Sequence, residues 1–307
     1  MYNYTPVTVY PFKESDDWMD LTGELPVKMT NDYLFRALLQ SDNRALRALL
    51  ASLLHMDYEE VTSAEITNPI LLGEALGDKT FILDVKVEML ERGIIDLEMQ
   101  VVRTPGWTER SVSYICRSFD QLNHGMVYME AKPVHQIAFC DFTLFKDHPE
   151  FFSTYKLMNV RDPGRIYTDK LIISNVDLTR PDLATEDDIK YGLNTWAGFF
   201  KAKTWEDMKM LAKENKTISG AVSAIHMMTE DEMIREQCRA REEWIANNKW
   251  MQDKIAEQAD QLNRQADQLA QKDDQLAQKD DQLSQQEEVI ARLRKEIKKL
   301  RTETKDN

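Results

Sequence analysis

Between residues 81 and 102 the chain changes from helical to alternating hydrophobicity. In FILDVKVEML (81–90), Phe81, Leu83, Val85, Val87 and Met89 fall on one side, and Ile82, Asp84, Lys86 and Glu88 on the other. After the turn residues Glu91, Arg92 and Gly93 comes IIDLEMQVV (94–102), where Asp96, Glu98 and Gln100 share one face and Leu97, Met99 and Val101 the other. Two such runs around a glycine-containing turn predict a β-hairpin. With Arg92 at the apex the paired residue numbers sum to about 184, which sets Asp84 opposite Gln100 and close to Glu98.

The flanks supply the remaining elements. Residues 1–29, with Pro6, Pro11 and Pro26, form an irregular lead-in. A helix begins at Thr30 or Asn31, either of which can cap it, and Leu34, Phe35, Leu38, Leu39, Leu46, Leu49, Leu50 and Leu53 recur at helical spacing. VTSAEITNPILL (61–72) predicts an edge strand running into a loop. Thr104-Pro105-Gly106 ends the second hairpin strand, and a helix is expected from about Glu109 to Asn123, stopped by Gly125. HQIAFCDFTLF (135–145) is a continuous apolar run, the pattern of a strand buried on both faces. This order predicts an α/β fold with a mixed sheet. LIISNVDL (171–178), preceded by Pro163-Gly164, predicts another strand. Segments 185–202, 204–215 and 218–228 predict short amphipathic helices. The expected organisation is a lead-in (1–29), a core (30–145), a mainly helical accessory region (146–235) and a tail (236–307).

In the tail, QADQLNR, QADQLAQ, KDDQLAQ and KDDQLSQ repeat every seven residues. Ile255, Leu262, Leu269, Leu276, Leu283, Ile290 and Ile297 align in one heptad column. The partner column runs Ala259, Ala266, Asp273, Asp280, Glu287, Arg294, Arg301. Aspartates at a seam position set like charges face to face, so the repeat predicts a long helix that either associates weakly with further copies of itself or stands as a solvated spacer.

Composition narrows the possibilities. The net charge is −14, and the body ahead of the tail is itself acidic, which argues against tight nonspecific binding to nucleic acid through phosphates alone. The chain has no run of 18 apolar residues to span a membrane and no basic-then-apolar leader, and its three scattered cysteines form neither a disulfide framework nor a zinc spacing. A cytoplasmic protein is expected. His55, His124 and His135 are read as helix-end or packing residues.

Two carboxylates and an amide converging on one face of a short sheet suit a divalent metal with a polar group beside an attacking water. The same charges also suit the outer face of a half-solvated hairpin, with Lys86 pairing Glu98. The pattern Asp84…Glu98-Met99-Gln100 resembles the PD-(D/E)XK nuclease superfamily. It is most similar to the recombination-promoting nuclease and transposase-like (Rpn-like) family, whose motif is Asp…Glu-x-Gln. NDYLFRALL (31–39), ERSVSYICRSFDQLNHGMVY (109–128) and KPVHQIAFCDFTLF (132–145) extend the resemblance over roughly residues 28 to 235. It implies a restriction-endonuclease-like core and Mg²⁺- or Mn²⁺-dependent hydrolysis of DNA. Asp84 and Glu98 would hold the metal, with Asp32 of the first helix as a possible third ligand. Gln100 would orient water, and Arg110 and Tyr114, one turn apart, would meet the substrate. The alternative implied by the acidic body and the repeat is a nuclease-fold scaffold, weak or inactive in catalysis, that self-associates through its tail.

Overall fold

A computed structural model describes residues 16–68, 84–90, 92–120, 127–213 and 215–303. The elements in chain order are α1 (Asp32–Ser41), α2 (Asn43–Leu53), β1 (Glu65–Ile66), β2 (Val85–Met89), β3 (Gly93–Gln100), α3 (Trp107–Phe119), β4 (Val134–Cys140), β5 (Phe152–Asn159), β6 (Asp162–Asp177), α4 (Glu186–Lys190), α5 (Leu193–Lys201), α6 (Trp205–Lys213), α7 (Lys216–Glu230) and α8 (Glu232–Glu303). The strands form one mixed six-stranded sheet in the order β1-β2-β3-β4-β6-β5. β3, β4 and β6 run parallel, and β1, β2 and β5 antiparallel to their neighbours. The α/β expectation therefore holds, with the chain dividing into a compact unit, Met1–Ile245, and a second unit, Ala246–Asn307.

Both sheet faces are covered. Val85, Val87, Ile95, Leu97, Met99, Ile137 and Phe139 pack against α1, α2, α5 and α7 in the main core, where Phe35, Phe139 and Phe200 meet edge to face at 5.2–5.6 Å. On the other face α3 lies over β4 and β6, with Ile115 on Ile94 and Val134, and Trp107 on Ala138 and Cys140. Every residue of β3 is buried. On the polar hairpin face β3 is thus covered, beside α3, which forms the crossover between parallel β3 and β4, while Asp84, Lys86 and Glu88 at β2 stay half-exposed.

Several boundaries differ from the sequence expectation. The first helix breaks at Asp42, whose extended backbone (φ −120°) and side chain, accepting from Arg44 N and Ala45 N, cap a new helix. Asn31 caps α1, accepting from Tyr33 N and Leu34 N. α3 begins at Trp107, and the expected stop at Gly125, the strand positions 81–83, and His124 lie outside the described residues. The region 146–235, expected to be mainly helical, also supplies two strands. β5 and β6 complete the sheet, β6 runs through Pro163-Gly164, and α5 and α7 pack on α1 and α2. Gly192, in the left-handed region (φ +77°), separates α4 from α5.

Candidate functional site

The site lies where β2 begins and β3 ends. The hairpin pairs Val85 with Leu97, Lys86 with Asp96 and Met89 with Gly93. The paired numbers therefore sum to 182 rather than 184. Extending that register sets Asp84, just ahead of β2, opposite Glu98 rather than Gln100. Gly93 (φ +82°) makes the tight return, with its Cα so close to Pro133 that an added Cβ would sit 2.2 Å from the Pro133 carbonyl oxygen.

The backbone at Asp84 is clamped. Buried Arg36 of α1 donates to the Asp84 and Asn68 carbonyl oxygens. The Asn68 amide donates to the Asp84 carbonyl at 3.0 Å, while its Oδ1 accepts from Lys86 N at 2.9 Å. Burial lowers the Arg36 pKa, an effect the nearby Asp84 carboxylate opposes. Glu98, only 8% exposed, accepts from Arg110 Nη2 of α3 at 2.9 Å. Its neighbour on the same face, Asp96, accepts from Ser118 Oγ at 2.7 Å. Gln100 donates its amide to the Val102 carbonyl at 2.5 Å. Arg110 stacks over the Tyr114 ring (5.0 Å) and the Trp107 ring (5.4 Å), so the pair expected one turn apart does converge. Lys86 makes no ion pair with Glu98 among the described residues.

Asp32 is engaged elsewhere. Both of its carboxylate oxygens accept from Arg241 Nε, at 2.8 and 2.7 Å, and Arg241 Nη2 approaches at 2.5 Å. Asn31 donates to the Cys238 carbonyl at 2.9 Å, so the first turns of α8 are fixed to the start of α1. Asp32 still lies within electrostatic reach of Glu98. It is part of the acidic cluster, and both of its carboxylate oxygens are held by Arg241.

Burial dominates the electrostatics. It raises the Glu98 pKa to about 7; Arg110 lowers it, and the carboxylates of Asp84, Asp32 and Asp96 raise it further. Burial also raises Asp32, against Arg241, and Asp96, against Ser118.

Among the described residues no three His, Cys, Asp or Glu side chains gather closely enough to hold a metal by themselves. Yet Asp84 Oδ1, Glu98 Oε2 and Asp96 Oδ1 are buried without a hydrogen-bond partner among the described residues. Unpartnered anionic oxygens cost free energy unless a cation or water meets them. Mg²⁺ keeps several waters and is commonly held by one or two carboxylates plus a substrate phosphate, so Asp84 and Glu98 fit such an ion chemically.

A model of the PD-(D/E)XK nuclease family transposases matches residues 29–254, about three-quarters of the chain. The chain belongs to that family. No curated protein and no solved structure matches it. The match runs past the expected accessory boundary, as it should if β5, β6 and α4–α7 belong to the PD-(D/E)XK body. It also reaches the first turns of α8, which carry Arg241.

Sequence reasoning passed over three residues of this candidate site. Arg36 left a signal: a lone arginine inside the apolar stretch Leu34-Phe35-Arg36-Ala37-Leu38 must find partners in the core. Asp96 was visible as a third acid on the Glu98 face. Arg241 left no local signal, because tertiary folding brings it to Asp32 across 209 positions.

Proposed function

We propose that this chain is a divalent-metal-dependent nuclease that hydrolyses DNA phosphodiesters, in the setting of recombination or transposon-like elements that its family suggests. The observation that carries the reading is the pair of buried carboxylate oxygens, Asp84 Oδ1 just ahead of β2 and Glu98 Oε2 on β3 beside Arg110, unpartnered among the described residues. Asp84 and Glu98 are the residues that would hold Mg²⁺ or Mn²⁺. A bound divalent cation supplies Lewis-acid polarisation of the phosphoryl group and acidifies water.

The protein groups have separable roles in this reading. Arg36 and Asn68 fix the Asp84 backbone, so its carboxylate is presented without rearrangement. Arg110 offsets the Glu98 charge and is the group that would face a phosphate oxygen, with Tyr114 beneath its guanidinium. Gln100, whose Nε2 donates to the Val102 carbonyl, would hold the attacking water through Oε1. An amide neither protonates nor carries positive charge, so it stabilises the developing charge less than a lysine would.

A second reading, a self-associating scaffold on a nuclease fold with weak or no catalysis, is favoured by one observation: both oxygens of Asp32 are occupied by Arg241. Supercoiled plasmid incubated with the intact chain separates the two. Nicking with Mg²⁺ that stops with EDTA, and is lost in Asp84→Ala and Glu98→Ala, supports the nuclease. Identical, metal-independent behaviour of all three proteins supports the scaffold.

A further inference from the structure

β6 is much longer than the sheet needs. It pairs with β4 only over Leu171–Asp177, whereas its pairing with β5 continues to Asn159 opposite Asp162. Beyond Lys156 and Lys170 the two strands therefore leave the sheet as a ribbon with no third strand. Register shifts at Leu157, Met158 and Asn159 bend it where it leaves. The base is mounted firmly: Lys170 Nζ donates to the Met129 and Ala131 carbonyls, each at 2.8 Å. An isolated two-stranded ribbon is at best marginally stable in water, so packing within the arm does not account for its length.

The arm's composition reverses that of the body. In a chain of net charge −14, the segment from Lys156 to Lys170 carries Lys156, Arg161, Arg165 and Lys170 against Asp162 and Asp169. Arg161 sits in the turn and Arg165 on the strand just after it; both are exposed and form no ion pair among the described residues. Beside them stand apolar side chains that solvent alone would not favour: Val160 is 95% exposed and Tyr167 88%. Arginine around an apolar tip on a two-stranded ribbon is the chemistry of a duplex groove. Guanidinium groups meet phosphates, the ribbon fits the groove's width, and an apolar side chain presses on the bases.

We propose that the β5–β6 arm is a DNA-binding ribbon that supplies the local positive charge the acidic body lacks. The proposal rests on DNA being the substrate. Glu98 is level with Ala138 and, through it, Asn175, and the arm leaves the opposite end of these strands. β5 takes six steps from Ser153, opposite Asn175, to Asn159, opposite Asp162, so at ~3.3 Å per residue and ~4.8 Å per strand the turn at Val160-Arg161 lies roughly 25 Å from Glu98. That is less than one turn of duplex, so the arm grips flanking DNA within about a turn of the scissile phosphate.

The test is binding without cleavage. A labelled duplex of about 30 base pairs, long enough to reach from site to arm, is titrated with the intact chain in EDTA at several salt concentrations and read by fluorescence anisotropy. The same is done with the Arg161→Gln/Arg165→Gln double variant, whose fold is checked by circular dichroism. We expect at least tenfold weaker binding by the variant and a salt slope smaller by about two, one for each lost phosphate contact. Equal affinity and slope would overturn the proposal, as would failure of the intact chain to bind duplex. A variant that binds DNA normally but sediments as a smaller species would overturn it too, reassigning the arm to contact between copies. Mg²⁺-dependent plasmid cleavage by the intact chain is scored separately, so the arm proposal can fail while the nuclease reading stands.

Discussion

Glu98 is the residue on which the site's electrostatics turn. Burial holds its pKa near 7 instead of the ordinary 4.5, so the folded protein binds this proton more tightly than the unfolded chain does. The associated stability is complete below about pH 4.5 and is lost as pH rises through about 7. A shift of that size corresponds to about 3 kcal/mol at pH 8 in the absence of metal. Glu98→Gln should therefore raise the melting temperature of the metal-free protein at pH 8, with the gain vanishing near pH 4.5. A lower melting temperature at pH 8 would mean that the Arg110 ion pair outweighs the burial of Glu98. The polar face that carries Glu98 was legible in the alternation of residues 94–102. Its burial was not, because that depends on α3 folding back over the sheet.

At the scale of elements, hairpin and helices are readable because their periodicities are local, while register and topology depend on distant contacts. Counting back from an apex at Arg92 misplaces the pairing by two, since Met89 pairs with Gly93. β5 eluded the sequence analysis because most of FSTYKLMN is exposed or half-exposed and shows no clean two-residue period. The helix break at Asp42 hides in a continuous leucine stripe that both helices share, and only the capping aspartate marks it.

Gly93 tests the hairpin return that positions β3. Gly93→Ala must accommodate both a positive φ and a Cβ 2.2 Å from a backbone oxygen. It should destabilise the protein by about 3 kcal/mol or more in urea unfolding. Gly23→Ala has a similar φ (+86°) but nothing within 4 Å of the added Cβ, so it should cost only about 1 kcal/mol. Equal effects at the two positions would show that the close approach of Gly93 to Pro133 is unimportant.

At the scale of the whole molecule, the heptad tail was the plainest message in the sequence. α8 is helical to Glu303, and its column residues Ile255, Leu262, Leu269, Leu276 and Leu283 are all exposed in the single chain. What the sequence could not reveal is that the same helix starts as part of the body, with Ile234, Cys238 and Arg241 buried. Truncation after Asp253 should leave the thermal midpoint of the body unchanged. Truncation after Glu230 strands the buried Asp32 carboxylate and should cost about 3–5 kcal/mol. In sedimentation velocity the full chain should associate weakly with concentration. Replacing Asp273 and Asp280 with Leu should tighten that association by completing the apolar seam. A full chain that stays monomeric, with the double variant no tighter, would make the tail a solvated spacer.

The account rests on Asp84 and Glu98 being a divalent-cation site, and that can be measured without knowing which DNA the protein prefers. Titration calorimetry of the intact chain with Mn²⁺ at pH 8 should give one specific cation per chain. Binding should vanish in Asp84→Ala and in Glu98→Ala while both variants stay folded. No specific binding by the intact chain, or undiminished binding by either variant, would contradict the account.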